Sequence, residues 1–178
     1  MSTPAGPAQQ ALALALAKPW PPDRPRVIAI DGPSGSGKST LARLIAADAP
    51  VVHLDDLYDG WEGLEAGVDH LVDGVLRPLA RGEDGSAPRY DWTQGRYDGV
   101  VDVPAAPLIV VEGVGSGSRA CAPYLTLLVW VEAEHGIARA VERDGEELRP
   151  RLLAWRDLET RHHRANDTRR RADLVVTT

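Results

Sequence analysis

A glycine-rich turn lies within residues 27–40, VIAIDGPSGSGKST, between a short apolar run and a segment with apolar residues at helical spacing. Residues 32–39 match the pattern G-x-x-x-x-G-K-[ST], in which the glycines let the backbone wrap around a phosphate and turn its N–H groups inward. The helix that begins near Lys38 adds its positive end, the lysine reaches the β- and γ-phosphates, and the Ser39 hydroxyl can bind Mg²⁺. An ordinary glycine-rich turn is the alternative. A phosphate-binding loop requires a strand before it and a helix after it, and this motif follows a predicted strand and opens a predicted helix. The motif predicts a nucleotide-binding loop of Gly32, Ser34, Gly35, Ser36, Gly37, Lys38, Ser39 and Thr40.

Strand and helix patterns alternate along the rest of the chain. Short β-branched or continuous apolar runs predict strands at 27–31, 51–54, 108–111, 125–131 and 172–176. Apolar residues at helical spacing predict helices at 38–48, 68–81, 134–144 and 150–167, and a polar, glycine-rich loop is predicted after the second helix, through about residue 100. Strands that alternate with helices favour a parallel sheet with right-handed crossovers. The predicted fold class is therefore α/β, a three-layer sandwich of the P-loop NTPase type with a mostly five-stranded parallel sheet.

The composition is that of a globular chain of one domain. The chain has 178 residues, of which 43% are hydrophobic and 26% charged, so it can bury a core without disulfides. Its net charge of −6 argues against nucleic-acid binding, and no stretch approaches the roughly 18 apolar residues of a membrane helix. Cys121 is the single cysteine, which favours a reducing, cytoplasmic setting. We expect a small-molecule substrate and neither nucleic acid nor a membrane as partner, while the oligomeric state is not predicted.

The first 25 residues differ from the rest in their content of alanine and proline. Their apolar run spans about seven residues and follows no positively charged segment, which argues against a signal peptide. We interpret residues 9–18 as a short helix or a loosely held tail and residues 19–25 as a linker, without a catalytic role. Residues 26–178 then form the P-loop domain.

Carboxylates follow two further predicted strands. Asp55 and Asp56 end the run VVHLDD, and in open α/β sheets ligands bind at the carboxyl ends of the strands. One of the two could take a proton from an acceptor hydroxyl and the other could hold magnesium or its water, although they could also merely cap a strand-end turn. Glu112 ends the run LIVVE and could orient Mg²⁺ through water or polarise a group near the acceptor. The predicted metal ligands are Ser39, Asp55 and Glu112.

GPSGSGKST, the DDLY segment, a strand ending in VEG and a helix carrying ERD together resemble the uridine kinase and phosphoribulokinase group of P-loop kinases, over about residues 27–176. The resemblance implies a nucleoside/nucleotide kinase-like fold, with residues 26–178 as the kinase domain. It implies transfer of the γ-phosphoryl group of ATP, with Mg²⁺, to a hydroxyl group of a nucleoside such as uridine.

The same resemblance assigns roles to individual residues. Asp55 matches the catalytic base and Tyr58 the tyrosine that lines the acceptor pocket. The segment Tyr90-Asp91-Trp92 is similar to the one beside the nucleoside in uridine kinases. Arg143 of ERD matches an arginine of the lid, the segment that closes over the phosphates in that family. The catalytic residues implied are Lys38, Asp55 and Arg143, and the acceptor-binding residues are Tyr58, Tyr90, Trp92 and Glu112.

Two departures from the family pattern leave the acceptor open. Gly95 stands where uridine kinases usually carry a histidine, and Gln94 could hydrogen-bond a base edge instead. After Arg143 the chain continues GEELRPR, so only Arg149 or Arg151 could supply a later lid arginine. A kinase for a sugar, a vitamin precursor or an antibiotic, and a regulatory module that binds ATP, are the alternatives.

The sequence pattern does not decide the identity of the nucleotide donor, and it assigns no site role to the paired histidines. No base-reading motif separates ATP from GTP as the donor. His162 and His163 lack the neighbours typical of metal ligands and are interpreted as surface imidazoles.

Overall fold

A computed structural model describes residues 5–178 of the chain. The strands are β1 (Arg26–Asp31), β2 (Val51–His53), β3 (Gly85–Asp91), β4 (Arg96–Val103), β5 (Leu108–Glu112), β6 (Leu127–Glu132) and β7 (Leu174–Thr177). The α-helices are α1 (Pro7–Ala17), α2 (Lys38–Ala46), α3 (Leu64–His70), α4 (Arg77–Leu79), α5 (Gly136–Asp144), α6 (Arg149–Asn166) and α7 (Thr168–Arg171). A π-helical segment (Leu71–Leu76) joins α3 to α4.

Five strands form one parallel sheet in the order β2-β5-β1-β6-β7. Successive side chains of β1 point to opposite faces, so that Val27 and Ala29 enter one core and Ile28 and Ile30 the other. The first core contains residues of α3, α4 and α6, and the second contains residues of α1 and α2. Helices therefore cover both faces, which confirms the predicted three-layer α/β sandwich. Because β1 is the central strand, the loop that follows it lies in the middle of the carboxyl edge of the sheet.

The predicted polar loop before residue 100 is wrong, because β3 and β4 form an antiparallel hairpin there. Most side chains of β4 are exposed, so the hairpin lacks the apolar alternation by which sequence reveals a strand. The hairpin packs on the π-helical segment at Gly74, where a Cβ atom would lie 2.5 Å from the carbonyl oxygen of Ser86. The glycine that weakens the helical pattern in the sequence thus allows the close approach of β3.

Helix α1 packs against the domain. Ala11 and Ala15 are fully buried in the core that α2 also enters. Arg26 donates hydrogen bonds to the backbone oxygens of Ala15 and Lys18, and Lys18 forms an ion pair with Asp173 at 2.6 Å. Of the two alternatives for this segment, the structure therefore shows the helix. No helix within residues 5–178 has both the length and the hydropathy needed to span a membrane.

Replacing Ala11 by leucine tests whether α1 is docked in solution. The larger side chain has no free space in this core, and we expect Ala11→Leu to lower the free energy of unfolding by about 1–3 kcal/mol in urea titrations. The matched change Leu16→Ala alters a residue that is 60% exposed on the same helix and should stay within about 0.5 kcal/mol of wild type. Equal urea midpoints for Ala11→Leu and wild type would contradict the docked helix.

Candidate active site

The loop after β1 adopts a conformation that requires glycine. Gly35 has a φ of +74°, and a Cβ atom there would lie 1.9 Å from the carbonyl oxygen of Gly136. Gly37, with a φ of +95°, directly precedes α2, so that the positive end of this helix points into the loop. The Lys38 ammonium group donates a hydrogen bond to the Pro33 carbonyl oxygen at 3.0 Å, which curls the side chain back over the loop. These contacts produce a concavity at the place where the sequence motif predicts that an anion binds.

A cavity of about 430 Å³, here called the phosphate cavity, opens above this loop. Six of the eight predicted nucleotide-binding residues line it: Ser34, Gly35, Gly37, Lys38, Ser39 and Thr40. Gly32 and Ser36 lie behind the wall, since a Cβ atom at Gly32 would meet the Val131 carbonyl oxygen and the Ser36 side chain is fully buried. The rest of the lining consists of Arg43, Asp55, Glu112, Val114, Arg139 and Arg143. The cavity thus combines backbone donors, one ammonium group, three guanidinium groups and two carboxylates.

Glu112 stands beside Ser39 at the end of β5. Its Oε1 atom accepts hydrogen bonds from the Ser39 hydroxyl at 2.9 Å and from the His53 imidazole at 2.6 Å. The hydrogen bond to Glu112 raises the pKa of His53, although partial burial opposes this shift. Within residues 5–178 no cluster of three or more histidine, cysteine or acidic side chains could hold a metal. The Ser39 hydroxyl and the Glu112 carboxylate nevertheless fit Mg²⁺. This ion takes oxygen ligands and is usually bound by one or two carboxylates together with substrate phosphates and water.

Asp55 follows β2 in a tight 3₁₀ turn, Leu54–Asp56, that turns its carboxylate toward the carboxyl edge of the sheet. It lines the phosphate cavity and also a second cavity of about 340 Å³. Loss of hydration and the nearby negative charge of Glu112 raise the pKa of Asp55, against the opposing charges of Lys38 and Arg143. A carboxylate with a raised pKa at the junction of two cavities is suited to accept a proton.

Four aromatic rings contribute to the wall of the second cavity, here called the aromatic cavity. Its apolar lining consists of Tyr58, Trp61, Trp92, Leu148, Leu152 and Trp155. Its polar lining consists of Ser34, Asp55, Arg143 and Asp144. Ser34, Asp55 and Arg143 also line the phosphate cavity, so the two cavities meet at these three residues.

Two of the predicted acceptor-binding residues line the aromatic cavity. The Tyr58 ring is buried in its wall, with the hydroxyl donating a hydrogen bond to the Val114 carbonyl oxygen at 2.8 Å. The Trp92 indole N–H donates a hydrogen bond to the backbone carbonyl oxygen of Asp55, also at 2.8 Å. This bond links the hairpin to the turn that carries Asp55.

The other two predicted acceptor-binding residues lie elsewhere. Tyr90 packs edge-on against Trp92 and Tyr97, behind the cavity wall, and Glu112 faces the phosphate cavity. Gln94 is held inside the hairpin turn by Asp91, Asp98 and Arg96, so the expectation that it reaches a base edge is not supported.

Arg143 lies near the end of α5, and its side chain reaches the junction of the two cavities. Its Nε and Nη2 atoms each donate to one carboxylate oxygen of Asp144 at 2.6 Å, and this contact raises the pKa of Arg143. Arg139 bonds to Thr178, and Arg149 pairs with Glu146 on the surface. Of the lid arginines considered from the sequence, Arg143 is the one that lines both cavities.

Helix α6 supplies three contacts that sequence reasoning missed. The buried Glu159 carboxylate accepts hydrogen bonds from the Ser34 backbone N–H at 3.0 Å and from the Ser34 hydroxyl at 2.9 Å. The interpretation of the paired histidines as surface groups is wrong, because His162 is buried against Glu65 and His163 bonds to the buried Asp31. None of these contacts has a local sequence signal, since each joins residues that are far apart in the chain.

Comparisons with known proteins identify solved structures that are similar to this chain. No protein-family model matches the chain. The chain is similar to the structure of a possible uridine kinase from Bacillus stearothermophilus, with a TM-score of 0.69 and 20% identity over 95% of this chain and 96% of that one. It is also similar to a proposed fructose transport system kinase from Silicibacter sp. TM1040, with a TM-score of 0.56 and 21% identity over 93% of this chain and 98% of that one.

A curated relative matches only part of the chain. Over 87 residues the chain is 48% identical to the bifunctional pantoate ligase/cytidylate kinase of Synechococcus sp. (strain JA-2-3B'a(2-13)), a match that covers 42% of this chain and 16% of that protein. The likeness to the solved structures confirms the fold that the resemblance implies. The chain therefore shares the three-layer α/β fold of these two solved structures.

Proposed function

We propose that the chain is an ATP-dependent kinase that transfers the γ-phosphoryl group to a hydroxyl group of a small molecule. The observation that carries this proposal is the shared wall between the phosphate cavity and the aromatic cavity, which consists of Ser34, Asp55 and Arg143. A donor in the first cavity and an acceptor in the second would meet at a carboxylate and a guanidinium group. This is the arrangement that phosphoryl transfer to an alcohol needs.

Residues that line the two cavities have distinct roles in this proposal. The loop N–H groups and Lys38 bind the β- and γ-phosphates, and Ser39 with Glu112 would hold Mg²⁺, which neutralises phosphate charge when bound. Asp55 accepts the proton of the attacking hydroxyl. Arg143 stabilises the negative charge on the phosphoryl oxygens. The aromatic wall excludes water from the acceptor side, which limits hydrolysis.

The finer assignments concern the acceptor and the donor. The sequence resemblance favours a nucleoside, with uridine first, and the likeness to a possible uridine kinase supports the same class. Another hydroxyl metabolite, such as a sugar, a vitamin precursor or an antibiotic, is the second candidate, because Gly95 stands where uridine kinases usually carry a histidine. ATP is the proposed donor, and a titration with ATP and GTP tests that choice.

The partner and the location are proposed from the volume of the cavity, the net charge and the cysteine content. A small molecule as substrate fits a cavity of about 340 Å³, and the net charge of −6 disfavours nucleic acid. Burial raises the pKa of the Cys121 thiol to about 12, so this cysteine is unreactive, and a cytoplasmic setting rests on its being the single cysteine of the chain.

Replacing Asp55 by asparagine tests its role as the proton acceptor. The amide keeps the size of the side chain but cannot take the proton, so we expect kcat to fall by about 10²- to 10⁴-fold while ATP affinity stays nearly unchanged. Coupled ADP-release kinetics and calorimetry with ATP measure the two quantities. Asp56→Asn is the matched control, since Asp56 lines neither cavity and should keep kcat within a few-fold.

The pH profile checks the same role independently. Because the pKa of Asp55 is raised above its ordinary value of 3.8, kcat/KM of the wild type should fall as the pH drops through that raised value. This acidic limb should be absent from the residual activity of Asp55→Asn. Full turnover by the variant on its true acceptor would remove Asp55 from this role.

Replacing Trp92 by phenylalanine tests whether the hairpin positions Asp55. Phenylalanine keeps a ring in the wall but loses the hydrogen bond from the indole N–H to the Asp55 carbonyl oxygen. One such bond contributes about 0.5–1.5 kcal/mol, so we expect kcat/KM for the acceptor to fall by about 3- to 10-fold with the KM for ATP unchanged. Trp20→Phe is the control, since Trp20 bonds to Pro25, away from both cavities. Identical acceptor kinetics for Trp92→Phe and wild type would exclude the positioning role.

A further inference from the structure

One face of α6 contacts both sides of the proposed site. Leu152, Trp155 and Glu159 follow one another at three- and four-residue spacing, so their side chains project from the same side of the helix, and all three are buried. Leu152 and Trp155 line the aromatic cavity. Glu159 instead reaches the phosphate loop, residues 32–37 between β1 and α2, where it bonds to Ser34.

The contact between Glu159 and Ser34 joins two donors of the loop to one oxygen atom. Glu159 Oε2 accepts the Ser34 N–H at 3.0 Å and the Ser34 hydroxyl at 2.9 Å. Hydrogen bonds to a carboxylate are stronger than those between neutral groups. The Arg156 Nε atom lies 3.6 Å from Oε1 of Glu159, which is too long for a hydrogen bond. The contact therefore fixes both the main chain and the side chain of Ser34.

Helix α5 holds the same part of the loop from the other side. A Cβ atom at Gly136, the first residue of α5, would lie 2.8 Å from the Ser34 carbonyl oxygen. The two main chains thus approach each other with no side chain between them. Ser34 lies between Gly136 and Glu159, and the loop N–H groups that follow it are the expected phosphate donors. Donors that are fixed before an anion arrives bind it without the cost of ordering the loop.

The negative charge of Glu159 would by itself oppose the binding of an anion. Burial raises the pKa of Glu159, and the Ser34 N–H and the positive charge of Lys38 act against this shift. The carboxylate therefore competes with a phosphate for the charge of Lys38. A favourable contribution of Glu159 to triphosphate binding must come from the position of the loop and not from attraction.

We infer that Glu159 is a positioning residue, which holds Ser34 so that the loop N–H groups converge on the β- and γ-phosphates. The role does not need the charge, because the single oxygen of a glutamine can accept both Ser34 bonds as Oε2 does. The same helix face then fixes the phosphate loop relative to the aromatic cavity. This inference rests on the proposed function and adds a residue to the same site.

Two substitutions at position 159 separate the position of the loop from the charge, with calorimetry of AMP-PNP and Mg²⁺ binding as the readout. Glu159→Ala loses both Ser34 bonds and should weaken binding about tenfold or more. Glu159→Gln keeps an acceptor oxygen and should stay within about threefold of wild type. Tighter binding by both variants would show that only the charge acts. That result, unchanged binding by Glu159→Ala, or equal weakening by both variants overturns the inference.

A control on the same helix checks that the loss is local. Asp157→Ala removes a carboxylate from the exposed side of α6 and should leave the affinity within about twofold of wild type. Circular dichroism confirms that each variant is folded. A loss in Asp157→Ala as large as that in Glu159→Ala would overturn the inference, because the contact with Ser34 would then not be its cause.

Hydrogen exchange in the ligand-free protein separates this inference from the proposed function. Exchange of the Ser34 amide, followed by NMR, should be at least about tenfold faster in Glu159→Ala than in wild type, and within about threefold in Glu159→Gln. If the wild type binds no AMP-PNP, the kinase proposal fails, and these rates alone decide whether Glu159 holds the loop. Equal rates in Glu159→Ala and wild type would overturn that role.

Discussion

The buried carboxylate of Asp31 ties together the segments from which the site is built. It accepts hydrogen bonds from the backbone N–H groups of Gly32, Gly115 and Gly117, and the His163 imidazole lies 2.9 Å away. Complete burial alone would raise the pKa of Asp31, but His163 and these backbone donors outweigh it and lower the pKa. The phosphate loop, the loop after β5 and helix α6 are therefore held at one point. An unpaired carboxylate in this position would be costly, so each partner depends on the others.

The charges around the two cavities follow from the same architecture. Parallel strands deliver Asp55 and Glu112 to the same edge of the sheet, where the negative charge of Glu112 helps to raise the pKa of Asp55. Lys38 from α2 and Arg143 from α5 oppose that effect. The free protein thus holds two carboxylates whose mutual repulsion is only partly offset. In the proposed function this balance keeps Asp55 ready to accept a proton, while the remaining positive groups bind the phosphate oxygens.

The sequence predicts those parts of the site that arise from local patterns. The phosphate loop has a fixed spacing, and Asp55 and Glu112 each end an apolar strand, so the parallel sheet brings them together. The contacts of Glu159 and His163 join α6 to residues more than a hundred positions away, which no local spacing reveals. The resemblance assigned Tyr58 and Trp92 of the aromatic cavity to the acceptor, whereas Trp61 and Trp155 escaped prediction because they come from a separate turn and a separate helix. The hairpin itself was missed because its exposed strands lack an apolar face.

The central claim is that the loop after β1 binds a triphosphate whose γ-phosphoryl group faces Asp55. A crystal structure of the protein with Mg²⁺ and the non-hydrolysable analogue AMP-PNP tests it directly. The account predicts the β- and γ-phosphates among the loop N–H groups, with the Lys38 ammonium moved from the Pro33 oxygen onto them. It further predicts that the Asp55 carboxylate faces the γ-phosphorus across a gap that admits one hydroxyl oxygen. A triphosphate bound elsewhere, or an Asp55 carboxylate turned away from the γ-phosphoryl group, would contradict the account.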